Sequence, residues 1–102
     1  MNREKVTMIV LAQINPEGKE SLAVYIELSA PIFKEAGGVP VNKYKITGQL
    51  LGENPLSLVS VMEFPSIEVL NAVFENEKYK ALIDLRNKAF LKLEILYSSS
   101  LE

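Results

Sequence analysis

Gly52-Glu53-Asn54-Pro55, followed by Leu56-Ser57-Leu58-Val59-Ser60-Val61-Met62-Glu63-Phe64, is the stretch that decides the fold. The first four residues are turn formers, and the nine after them are mostly β-branched or apolar, as a strand requires. Residues 39–51 read as another strand, more polar than the rest through Asn42, Lys43, Lys45 and Thr47, which suits an edge position. So short a connection implies that the two strands pair antiparallel as a hairpin.

Working outward, residues 6–14 (Val-Thr-Met-Ile-Val-Leu-Ala-Gln-Ile) suit a central strand covered on both faces. Asn15-Pro16-Glu17 then supplies a cap, a proline at the first helical position and an acid in the first turn, so a helix is expected from there to about Ala36. Leu22, Tyr25, Ile26, Ser29, Ile32 and Phe33 recur along it at helical spacing, and Gly37-Gly38 stops it. Pro31 lies inside, where its ring removes the hydrogen bond to the Glu27 carbonyl and predicts a kink.

After the hairpin, Ser66 caps a short helix to about Phe74, and Asn76 caps a second at Glu77. Residues 90–97 close the chain as a strand, with Leu91, Leu93, Ile95 and Tyr97 on one face and Lys92 and Glu94 on the other. Residues 98–102 read as a disordered tail, with Leu101-Glu102 compatible with a cloning remnant. The order strand, helix, strand, strand, helix, strand is the split βαβ of an α+β, ferredoxin-like sandwich: a single domain over residues 1–102 with a four-stranded antiparallel sheet. Right-handed crossovers put both helices on one sheet face. The other face has no cover within the monomer, which predicts a homodimer with two sheets face to face.

Composition narrows the possible functions. The 102 residues are 48% hydrophobic and 24% charged, enough for one core. A mean hydropathy of +0.12 is high for a small acidic domain and points the same way as the uncovered face. With no cysteine and no histidine, the chain lacks thiol chemistry, the commonest general base and the commonest metal ligand. No metal-ligand spacing appears, and neither metal nor cofactor is expected. A net charge of −2 argues against nucleic acid. No apolar run approaches the roughly 20 residues of a membrane span, and the first residues do not read as a secretory signal, so a cytoplasmic location is expected.

Arg86 is the most informative single residue. Wound as a helix, residues 77–90 present Tyr79, Leu82, Ile83, Ala89 and Phe90 as one apolar stripe, with Arg86 near its middle and Lys80, Asp84, Asn87 and Lys88 opposite. A guanidinium turned inward requires an anion. Two readings follow. In one, Glu63, an unexpected acid beside Val59 and Val61, forms a structural ion pair with Arg86 in a non-catalytic binding or assembly module. In the other, Arg86 fixes the carboxylate or enolate of a small anionic ligand in a cleft between sheet and helices, with Glu63 as a candidate base. Tyr25 and Tyr79 fit core packing, or orient a substrate oxygen in that cleft. Asn42 is either structural or a polar pocket residue, and Lys34, Lys43 and Lys45 read as solvated surface.

Three stretches carry a family resemblance: Tyr25 through Pro31 to Gly37-Gly38; Val61-Met62-Glu63-Phe64-Pro65-Ser66; and Glu77 and Tyr79 followed by Leu82 and Arg86. In order and spacing they resemble an uncharacterised family of the dimeric α+β barrel superfamily, which also holds the antibiotic-biosynthesis monooxygenases. The resemblance implies a ferredoxin-like fold and a barrel dimer. It leaves activity open, since relatives include cofactor-independent oxygenases, haem-degrading enzymes and isomerase-like proteins. The chain departs from the haem-degrading pattern in having neither His nor Trp, so haem is not expected.

Overall fold

Val6, Met8 and Ala12 alternate along the first strand and are buried on one side of a four-stranded antiparallel sheet, and every helix packs over that side. The computed structural model describes residues 4–99. Its elements are β1 (Val6–Ile14), α1 (Lys19–Glu35), β2 (Val39–Lys45), β3 (Leu58–Phe64), α2 (Ile67–Glu75), α3 (Glu77–Lys80), α4 (Ile83–Ala89) and β4 (Phe90–Ser98). The strands lie in the order β2-β3-β1-β4, all antiparallel, which is the ferredoxin-like α+β arrangement expected. Among the described residues no helix is long and apolar enough to cross a membrane.

The core lies between α1, α2, α3 and the sheet. Phe33, Phe64, Phe74 and Tyr79 interlock through edge-on or tilted ring contacts, the tightest being Phe74 to Tyr79 with centroids 4.9 Å apart. Ser66 caps α2 by accepting from the Val69 amide, and Asn76 caps α3 by accepting from the Lys78 amide, both as anticipated. Gly37, at φ +90°, ends the α1 region in the left-handed conformation.

Several boundaries differ from expectation. α1 begins at Lys19, not beside Pro16, although Asn15 does cap the turn: its Oδ1 accepts from the Glu17 amide, while its Nδ2 donates to the Lys88 carbonyl at 3.0 Å and its backbone amide donates to the Ala89 carbonyl. The 15–18 turn is thereby tied to the end of α4, with Gly18 as the N-cap of α1. The helix continues through Pro31. β2 ends at Lys45, so 46–51 belong to the long connection to β3 and not to a strand. The helix expected over 77–90 divides into α3 and α4 around Ala81-Leu82, although Leu82 still accepts from the Arg86 amide and the stripe keeps its direction. In β4 a register shift opposite Gln13/Ile14 takes Leu91 out of line with Leu93 and Ile95. Ser98, placed in the tail by sequence, completes β4; the rest of that tail from residue 100 onward lies outside the described residues.

Gly18 is fixed by close approach. A Cβ there would collide with the Lys88 carbonyl and lie 3.3 Å from the Ala89 Cα. Gly18→Ala is therefore expected to destabilise the fold by about 1–3 kcal/mol, the usual cost of overpacking. A urea unfolding midpoint no lower than that of the parent would contradict this account of the α1–α4 junction.

Candidate functional site

Tyr79 and Arg86 are seven residues apart, two helical turns, so the α3–α4 segment presents both on the same side. Arg86 Nη1 donates to the Tyr79 hydroxyl at 3.1 Å, and the guanidinium carbon lies 5.8 Å from the centre of the Tyr79 ring, within cation–π range. The Tyr79 hydroxyl in turn shares a 2.8 Å hydrogen bond with that of Tyr25 on α1. Tyr79 is only 1% exposed and Tyr25 7%, whereas Arg86 is half-buried. Three helices thus contribute to one polar chain, Arg86 to Tyr79 to Tyr25, that runs from a surface hollow into the core.

Burial above all, then the hydrogen bond and electrostatic interaction with Tyr79, holds the Tyr25 phenol well above its ordinary value of 10.0; Arg86 pulls the other way and is outweighed. Tyr25 accordingly stays protonated and is not poised as a base; in its bond with Tyr79 either hydroxyl can be the donor.

Of the five expected site residues, Arg86, Tyr79 and Tyr25 come together, and Glu63 and Asn42 do not join them. Glu63 lies between Met62 and Phe64, which pack in the core, so alternation turns its side chain to the sheet face away from the helices. Asn42 pairs with Val61 on that same far face; its Nδ2 donates to the Tyr44 hydroxyl and its Oδ1 accepts from the Lys43 amide. The expected Arg86–Glu63 ion pair is therefore not formed, since the sheet separates its members. The ion pair among the described residues is Lys80–Glu77, on the surface at 3.9 Å.

Three concavities surround the polar chain. A hollow of about 470 Å³ is lined by Arg86, Asn87, Phe90, Leu91, Leu93 and Ile95. On the other side of Arg86 a second, of about 330 Å³, is formed with Phe74 and Tyr97. Under α1 lies a smaller cavity of about 140 Å³, mostly apolar, with Tyr25, Phe33, Phe90 and Ile95 in its wall. Lys43 also lines this inner cavity. It is exposed, as expected, and reaches the cavity lining because its pairing with Ser60 puts it on the side of β2 that faces the helices. Among the described residues no group of three His, Cys, Asp or Glu is placed to hold a metal.

A four-stranded antiparallel sheet with all its helices on one face defines a ferredoxin-like α+β fold. Within it, the chain belongs to the family described as Domain of unknown function (DUF1330), whose model matches residues 7–96. No curated protein matches the chain. Among solved structures it is similar to a protein of unknown function from Rhodopseudomonas palustris, at 21% identity over 99% of this chain and 85% of that one, with a TM-score of 0.88. A DABB family protein with a ferredoxin-like fold from Mesorhizobium loti matches at 13% identity over 98% and 100% of the two chains, TM-score 0.71. SnoaB, a cofactor-independent oxygenase from Streptomyces nogalater, matches at 11% identity over 97% and 95%, TM-score 0.69. At such identities the likeness carries the fold and not the chemistry.

The raised Tyr25 phenol makes a pH prediction. Unfolded, it ionises near 10.0; folded, it holds its proton to higher pH, so above that value the unfolded state has lost a proton that the folded state keeps. The stabilisation it contributes is complete below pH 10 and falls as the pH rises beyond it. In urea unfolding from pH 8 upward, the stability of the parent relative to Tyr25→Phe should decline above about pH 10. A constant difference across that range would contradict the assignment.

Proposed function

We propose that this protein binds a small organic anion in the cleft between sheet and helices, with Arg86 holding a carboxylate or enolate oxygen and Tyr79 and Tyr25 supporting it. The observation that carries this reading is a half-buried guanidinium with no carboxylate partner among the described residues, joined to two buried phenols. Arg86 has five N–H donors, and each phenol adds one. Within the trio the only acceptors are the two hydroxyl oxygens. Whichever way the Tyr25–Tyr79 bond runs, one hydroxyl proton is left over together with most of the guanidinium donors. Such a set favours an incoming oxygen anion, and charge-assisted bonds to it are the strong ones.

The same donors suit negative charge that develops on an oxygen during reaction, as in an enolate. Cofactor-free isomerisation or oxygenation of an enolisable substrate, with solvent taking the substrate's proton, is the chemistry in keeping with this arrangement, and the fold shared with a cofactor-independent oxygenase agrees with it. The site offers stabilisation of charge; it does not offer a base.

The reading includes a homodimer. Ile9, Leu11, Val59, Val61, Tyr44 and Leu96 occupy neighbouring positions on the sheet face that no helix covers. Tyr44 and Leu96 are among the exposed large apolar residues, and so is Val39 beside them. An apolar face of this kind supports burial against a second copy.

For Arg86→Ala, the expected outcome is a folded protein whose affinity for benzoate, followed by amide chemical shifts, is lower by about tenfold or more, the loss of one charge-assisted contact. Unchanged benzoate affinity would contradict the proposal, as would a parent protein that does not bind benzoate. Sedimentation at micromolar concentration should give a dimer, and a monomer there would contradict the assembly.

A further inference from the structure

Lys43 pairs with Ser60, Ser60 with Val10 and Val10 with Ile95, so these residues form one row across the sheet on the side that faces the helices. The row runs from one edge strand to the other beneath α1, roughly 14 Å at the usual strand spacing. The 140 Å³ cavity lies over it and is lined by all four residues. Tyr25, Phe33 and Phe90 supply flat aromatic walls. Its size is close to the roughly 150 Å³ known to accept a benzene ring in a protein interior.

The two ends of this space are alike in charge. At the β2 edge stands Lys43, which makes no ion pair among the described residues. At the β4 edge the cavity adjoins the hollow onto which Arg86 opens, since Phe90, Leu93 and Ile95 line both. Tyr25 lines the cavity and reaches Arg86 through Tyr79. A mostly apolar space the size of one ring thus has the exposed Lys43 at one end and, in the adjoining hollow, Arg86 at the other, neither with a carboxylate partner among the described residues.

We propose that the ligand is a monocyclic acid with a second anionic oxygen group across the ring. The ring occupies the cavity under α1, one acid group reaches into the adjoining hollow to meet Arg86, and the other meets Lys43, which thereby sets specificity. This rests on the anion-binding reading of Arg86 and deepens it. Lys43 is suited to the distal role: it is a compact point charge on a flexible stem, with the Ser60 hydroxyl beside it in the row. An acid lacking the second group would still bind at Arg86 but would leave the Lys43 ammonium to water.

The test is calorimetric titration of the parent, Lys43→Met and Lys43→Gln with benzoate and with terephthalate, with urea unfolding as a check on folding. The parent should bind terephthalate about tenfold more tightly than benzoate, the effect of one added charge-assisted contact. Both variants should bring terephthalate down to the benzoate level and leave benzoate unchanged. Benzoate binding with no preference for terephthalate, or equal weakening of both ligands in the variants, would overturn the role of Lys43 while leaving that of Arg86 intact. If neither acid binds the parent, the Arg86 reading itself fails, and this inference fails with it.

Discussion

The hydrogen bond from Arg86 to Tyr79 is the constraint around which the helical layer is arranged. A guanidinium drawn out of water is costly unless its donors are met, and here it is met by a neutral phenol and an aromatic face, not by a carboxylate. No carboxylate among the described residues pairs with it. The positions that hold it there are fixed from outside the site. Asn15 and Gly18 clamp the end of α4, Asn76 caps α3, and Tyr25 enters from α1, so shifting any of these helices would disturb the chain of hydroxyls.

The sheet divides the protein into two chemically different sides. Toward the helices lie the aromatic cluster, the ring-sized cavity, and Arg86 and Lys43, neither in an ion pair among the described residues. Away from them lie Ile9, Leu11, Val59, Val61 and Tyr44, together with Glu63 and Asn42. Under the proposed reading the helical side would recognise the ligand and the bare side a second copy, so the two would not compete for surface.

Much of the architecture was legible in the residues. The β-branched run of 6–14 matches β1, Ser66 and Asn76 cap the helices expected of them, and the helical spacing of Tyr79 and Arg86 placed both on one inward stripe. The exceptions have physical causes. Asn15 caps the turn as its type suggests, but that turn is also tied to Lys88 and Ala89, and the regular helix starts only at Lys19. Alternation grouped Glu63 with Val59 and Val61 correctly, but parity along one strand does not tell which face the helices will cover, and that choice separates Glu63 from Arg86. Lys43 is solvated, as an edge-strand lysine should be, but its place in a cavity lining was not legible for the same reason.

A crystal structure of the protein grown with benzoate tests the central claim most directly. The account predicts the carboxylate within hydrogen-bond distance of the Arg86 guanidinium, with the Tyr25–Tyr79 contact retained behind it. A guanidinium paired with a carboxylate of the protein itself, or turned into solvent while the hollow beside it stays free of benzoate, would contradict it.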